Sequence, residues 1–246
     1  MSCIVIIPAR MAATRLPGKP LADIAGTPMI VRVWQAAVNA ATGPVAVAAG
    51  DAEIVSAIEQ RGGAAVLTDP ALPSGTDRVF AAVELLDPDG THDIVVNLQG
   101  DLPLLDPVQL RIVKETLETS GADIATLAAP ITEMRDFDNP NVVKPVVAWN
   151  EGEAFGRALY FSRARAPFGD GPYYHHIGIY AFRRAALARF VNLPPSPLEK
   201  RERLEQLRAM EAGMSIVVAR VDEAPLSVDT PKDLEKVRAA AIARRV

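Results

Sequence analysis

The feature that most constrains the fold is a regular alternation of short apolar runs with helical patterns. Five runs read as strands: Cys3–Ile7, Val45–Ala48, Ala64–Leu67, Asp93–Asn97 and Asp123–Ala129. Each is four to seven residues long, rich in valine, isoleucine or alanine, and too short for a helix. Between them, apolar residues recur at helical spacing near Met29–Ala41, Glu53–Gln60, Asp77–Leu86 and Val108–Thr119. This order predicts an α/β protein with a mostly parallel, Rossmann-like sheet covered by helices on both faces. Past residue 129 the pattern changes. Val142–Trp149, Glu153–Phe161 and Tyr173–Phe182 read as longer strands with no long helix between them. They predict an antiparallel inserted lobe, at about 140–212, within one domain spanning 1–246. A helix near Arg184–Val191, one continuous helix over Leu198–Ala212, a strand over Ser215–Val221 and a last helix opening at Thr230-Pro231 complete the reading.

In open α/β sheets ligands bind outside the carboxyl ends of strands. The loop after the first strand reads PARMAATRLPGKP and carries Arg10, Arg15 and Lys19, whereas the first carboxylate in the chain is Asp23. It lacks both GxGxxG and GxxxxGK[ST], so neither a dinucleotide fingerprint nor a P-loop is present. Three cations with no acid, at this position, predict a phosphate site built from side chains and backbone amides. The whole chain is nevertheless acidic, with a formal net charge of −4. That disfavours nucleic acid as the partner, which needs a basic field. Cys3 is the single cysteine, so no internal disulfide forms, and no run reaches the length of a membrane helix. A cytoplasmic protein without membrane contact is expected.

Two aspartates lie where strands are expected to end. Asp101 follows the strand near Asp93–Asn97 in NLQGD, and Asp229 follows Leu226-Ser227-Val228. Such carboxylates suit a hard divalent cation. Read alone, Asp101 is equally a turn residue and Asp229 equally part of the cap of the last helix.

The string IIPARMAATRLPGKPL, with Asn97-Leu98-Gln99-Gly100-Asp101, Asn139-Pro140-Asn141, Tyr160-Phe161-Ser162-Arg163, His176-Ile177-Gly178-Ile179-Tyr180, Leu204-Glu205-Gln206-Leu207-Arg208 and Val228-Asp229-Thr230-Pro231, closely resembles the 3-deoxy-manno-octulosonate (Kdo) cytidylyltransferases, also called CMP-Kdo synthetases. The resemblance implies an enzyme that transfers CMP from CTP to Kdo, releases pyrophosphate and feeds lipopolysaccharide synthesis. It implies Mg2+ as cofactor, held by Asp101 and Asp229, and a homodimer. It implies CTP contacts from Arg10, Arg15, Lys19, Ser74 and Gly75, with Arg10, Lys19 and Asp101 serving catalysis. For Kdo it implies Gln99, Arg163, His176, Tyr180, Glu205 and Gln206. From the residues alone, His176 is equally a core histidine, and Glu205 and Gln206 equally a solvated helix face. Many family members carry an acid after the first metal aspartate, where this chain has Leu102, and glycine where it has Ser227.

Overall fold

The computed structural model describes residues 1–12, 16–149 and 152–243. Arg15 of the predicted phosphate loop lies outside them. The chain forms two compact units, Met1–Arg111 with Pro225–Val246, and Ile112–Ala224.

The first unit begins with β1 (Cys3–Ala9), a small hairpin β2 (Asp23–Ile24) and β3 (Thr27–Pro28), and helix α1 (Met29–Ala40). Then follow β4 (Val45–Ala49), α2 (Ala52–Glu59), β5 (Ala64–Leu67), α3 (Gly75–Leu86) and β6 (Ile94–Asn97). The strand order is β5-β4-β1-β6, every pair parallel. All of β1 is buried, as a central strand covered on both faces must be. β1 runs two residues past the expected end at Ile7, through Pro8. Val5 donates to Pro44 on the β4 side, whereas Ile6 accepts from Leu98 on the other. The nitrogen of Pro8 therefore faces the side where β6 has already ended at Asn97, so its missing N–H removes no ladder bond.

Helix α4 (Val108–Ser120) opens as predicted, with Asp106 Oδ1 accepting from the Val108 amide at 2.9 Å. The second unit contains β7 (Ile124–Pro130), α5 (Met134–Phe137), β8 (Lys144–Trp149), β9 (Phe155–Ser162), β10 (Tyr174–Arg183), α6 (Arg184–Val191), α7 (Pro197–Glu202), α8 (Gln206–Glu211) and β11 (Ile216–Arg220). Its strand order is β10-β7-β11-β9-β8. Only β7 and β11 pair in parallel; the other three pairings are antiparallel. The unit is wider than the lobe expected at about 140–212, because β7 and β11 pair with its antiparallel strands. The chain then returns to the first unit in α9 (Pro231–Ala243).

The helix expected over Leu198–Ala212 is not continuous. Two six-residue helices replace it, separated at Arg203, whose φ of 55° is left-handed. Propensity favoured one helix, but tertiary contacts turn two carbonyls out of the ladder. The Arg163 guanidinium takes the carbonyls of Glu202 at 2.8 Å and Arg203 at 3.2 Å, and the Glu202 carboxylate accepts from the Arg163 amide and the Ser162 hydroxyl. Helix α7 starts with a reciprocal capping box between Ser196 and Glu199.

Candidate active site

The site is built at the carboxyl ends of β1 and β6. Asp51, after β4, accepts from the Met11 amide at 2.7 Å and holds the first loop against the sheet. Gly18, with φ 72°, turns the loop into the 3-10 turn Lys19–Leu21. On the far side, Gly100 lets the chain leaving β6 pass the end of β1. A Cβ there would lie 2.9 Å from the Pro8 carbonyl oxygen, a distance real Cβ atoms do not adopt. That close approach delivers Asp101 beside the first loop.

Asp229 arrives from the other end of the chain. Val228, fully buried with Ile24, Met29, Leu234 and Val237, anchors the segment by its side chain. Burial of one such aliphatic side chain stabilises by about 1.5–3 kcal/mol. Its amide donates to the Asp101 carbonyl at 3.0 Å, so the two aspartates are fixed side by side. Asp233 and Thr230 cap α9 reciprocally, which fixes the far side of Asp229. Lys19 reaches both acids. Its Nζ lies 3.0 Å from Asp101 Oδ2 and 3.4 Å from Asp229 Oδ1, and it donates to the Val228 carbonyl at 2.8 Å.

Lys19, Asp101 and Asp229 line a cavity of about 340 Å³ together with Arg10, Ser74, Gly75, Arg78 and Gln99. Ser74 caps α3, its hydroxyl accepting from the Asp77 amide at 3.2 Å and donating to Asp77 Oδ2 at 2.6 Å. The cavity wall therefore contains the amino end of a three-turn helix, which favours anions. Gln99 donates to Asn97 at 3.2 Å, and Asn97 in turn donates to Thr76 at 3.3 Å. Leu102 is buried, so the position after Asp101 supplies core packing. Among the described residues no third histidine, cysteine or carboxylate joins Asp101 and Asp229 as a cation-binding group.

Arg78 is a cavity residue that the sequence reading did not single out. Only 2% exposed, it donates to the carbonyl of Asp69 at 3.1 Å. Burial lowers its pKa, and the nearby charge of Arg10 lowers it further. Gly50 makes room for both arginines, since a Cβ there would stand 3.1 Å from Arg10 Cβ and from Arg78 Nη1. An arginine on the buried stripe of α3, beside Val79 and Ala82, was the available signal.

In the second unit, β10 carries His176 and Tyr180 with their rings 5.5 Å apart. The ladder slips between Ile177 and Tyr180, which sets Tyr180 across from Thr126. The Thr126 hydroxyl is bonded to His176 Nε2 at 3.0 Å and to the carbonyls of Ile177 and Ile179. Carbonyls only accept, so the hydroxyl hydrogen goes to them and His176 Nε2 carries the donated proton. Gln206 is buried at the start of α8 and Glu205 is its N-cap, so Gln206 is not part of a solvated helix face. Burial raises the Tyr180 phenol, and the charge of Glu205 adds to the shift. Arg163 spends guanidinium N–H groups on the carbonyls of Pro140, Glu202 and Arg203. A guanidinium has five such groups, so some remain for an anion.

Burial lowers the His176 pKa to about 3, with neighbouring His175 adding to the shift. The folded imidazole stays neutral while the unfolded one gains a proton below about pH 6.5. Between those values the unfolded state binds more protons, so stability is full above pH 6.5 and falls as pH drops. His176→Gln is expected to remove about 2 kcal/mol of the stability lost between pH 7 and pH 5. Urea titrations at the two pH values measure it, and an unchanged difference would place the acid sensitivity elsewhere.

The cytidylyltransferase family profile matches residues 4–216. The chain is 64% identical to the 3-deoxy-manno-octulosonate cytidylyltransferase of Parvibaculum lavamentivorans, over 98% of this chain and 93% of that one. It is 58% identical to the protein of that name in Paramagnetospirillum magneticum, over 96% of each. Among solved structures it is similar to CMP:2-keto-3-deoxy-manno-octonic acid synthetase complexed with CTP, with a TM-score of 0.91, 37% identity and full coverage of both chains. With the family profile, the relatives and the fold in agreement, the chain belongs to the cytidylyltransferase family, in its 3-deoxy-manno-octulosonate branch.

Proposed function

We propose that the protein transfers CMP from CTP to Kdo, giving CMP-Kdo and pyrophosphate. The observation that carries the reading is the convergence of Lys19, Asp101 and Asp229 in one cleft beside the amino end of α3, in a chain 64% identical to an enzyme of that name. The anomeric hydroxyl of Kdo attacks the α-phosphorus, forming the new P–O bond. The bond from the α-phosphorus to the bridging oxygen breaks, and pyrophosphate carries that electron pair away. The hydroxyl proton passes to solvent.

The chain's own residues supply alignment and charge. Arg10 and Lys19 hold the triphosphate, with Arg15 in the same loop, and the backbone around Ser74 and Gly75 reads the cytosine. Each charge-assisted bond contributes about 1.5–3 kcal/mol. Gln99, Arg163, His176, Tyr180, Glu205 and Gln206 are the residues assigned to Kdo. The donor set fits magnesium: two carboxylate oxygens already converge on a single cation, the Lys19 ammonium. Asp101 and Asp229 would hold the ion, with phosphate and water completing an oxygen shell. Bound there, magnesium supplies neutralisation of the charge on the phosphate oxygens.

The reading carries with it a cytoplasmic setting, a homodimer and a role in lipopolysaccharide synthesis. A single buried cysteine suits a reducing compartment, and among the described residues no helix is long and apolar enough to cross a membrane.

The test is pyrophosphate release from CTP and magnesium with Kdo, an 8-amino Kdo analogue, a sialic acid and a neutral sugar phosphate. Turnover with Kdo is expected, and none with the neutral sugar phosphate. Preference for another acidic sugar would move the assignment within the family, and no release with any of them would end it. Lys19→Ala is expected to raise the KM for CTP by about ten- to a hundred-fold and the KM for Kdo far less. The reverse pattern would place the first loop at the sugar.

A further inference from the structure

Lys19 occupies a position that its role on the triphosphate does not explain. Its Nζ sits between Asp101 Oδ2 at 3.0 Å and Asp229 Oδ1 at 3.4 Å, with the Val228 carbonyl at 2.8 Å. One ammonium therefore holds the point on which both carboxylates converge. It cannot stay there while a divalent cation takes the same oxygens.

We propose that Lys19 has two stations. Without ligands its ammonium stands in for the divalent cation between Asp101 and Asp229; metal and triphosphate together move it onto the phosphates. The inference rests on the reading of this cleft as a metal and nucleotide site.

The charges favour the exchange. Two carboxylates and one ammonium sum to one negative charge. A divalent cation in the ammonium's place neutralises the pair and leaves a whole positive charge for the triphosphate. A divalent cation that entered with Lys19 still docked would meet a like charge at contact range. Metal affinity of the nucleotide-free protein is thus reduced by the share of molecules with Lys19 docked. A triphosphate that draws the ammonium away removes that reduction, so each ligand strengthens binding of the other.

The backbone supports a movement confined to the side chain. Gly18 and the buried Pro20 flank Lys19 and fix it in the 3-10 turn, whose Ala22 amide returns to the Lys19 carbonyl at 3.1 Å. Only the flexible four-carbon stem needs to swing. Arg10 also lines the cleft, but none of the hydrogen bonds or ion pairs among the described residues joins it to either aspartate. It is therefore the natural control for simple loss of positive charge.

The experiment titrates Mn2+ against the full chain, reading free Mn2+ by electron paramagnetic resonance, with and without CTP and in the absence of Kdo. Lys19→Met is expected to bind Mn2+ at least about tenfold more tightly than wild type without nucleotide. CTP is expected to strengthen Mn2+ binding in the wild type and several-fold less in the variant. Lys19→Gln is expected to give the same ordering should the methionine variant fold poorly. Arg10→Met is expected to leave nucleotide-free Mn2+ binding within about threefold. Equal Mn2+ affinity of wild type and both Lys19 variants would overturn the two stations; if Asp101→Asn still abolished binding, the metal reading would stand. Absence of Mn2+ binding in every protein would overturn both.

Discussion

Asp101→Asn is expected to lower turnover of CTP and Kdo by about 10²–10³-fold while leaving the fold in place. The substitution keeps the shape of the side chain and removes its charge. That charge lies where Lys19 and Asp229 converge, 3.0 Å from the lysine ammonium. Removing one preorganised electrostatic group from a phosphoryl-type transfer site costs about 2.7–4 kcal/mol of transition-state stabilisation. The Asp101 side chain is 26% exposed, so the neutral amide finds water and the stability change stays near 0.5 kcal/mol. The Val228 amide still finds its partner, because that bond uses the Asp101 backbone carbonyl. Steady-state pyrophosphate release and thermal unfolding, on one preparation, measure the two effects. Activity within a few-fold of wild type would take Asp101 out of the catalytic centre.

Lys144→Met is expected to destabilise the protein by about 2–4 kcal/mol. Lys144 is wholly buried, and its ammonium donates to the carbonyls of Asn139 at 2.8 Å, Val142 at 2.7 Å and Arg163 at 3.1 Å. Methionine fills a similar volume but offers no donor, so three acceptors lose a charge-assisted partner. Removal of the buried charge itself offsets part of that loss, since burial already lowers the Lys144 pKa. The lysine and Arg163 brace one loop from two sides, for Arg163 also donates to the Pro140 carbonyl at 2.8 Å. The variant is therefore expected to raise the KM for Kdo more than the KM for CTP. Urea unfolding reads the first effect. A loss below about 0.5 kcal/mol would show that water replaces the ammonium at all three carbonyls.

The parallel half of the fold was legible because it rests on local patterns. A buried parallel strand must be a continuous apolar run, and Cys3–Ile7 and Asp93–Asn97 announced themselves that way. Caps are equally local: Ser74, Asp106 and Ser196 each accept a hydrogen bond from an amide two or three residues on. The break at Arg203 was not. Leu198–Ala212 carries no glycine or proline between Pro197 and Gly213, and what bends it is an arginine some forty positions earlier, competing for two carbonyls. His176 shows the same limit. Its sequence neighbours fit a core residue and a ligand equally, and only the Thr126 bond and deep burial reveal a neutral, oriented imidazole.

Sequence by itself determined the secondary-structure alternation, the cationic first loop and the residue types available for chemistry. These follow from short-range periodicity and composition, which one chain segment carries alone. Tertiary structure decided which of them meet. Asp229 reaches Asp101 because Val228 is buried among Ile24, Met29 and α9 and its amide bonds the Asp101 carbonyl. Lys19 lies between the two acids because the chain leaving β6 passes close to the end of β1, which Gly100 allows. Charges attract wherever they are brought together; the packing of buried apolar side chains, acting across the whole length of the chain, chose where.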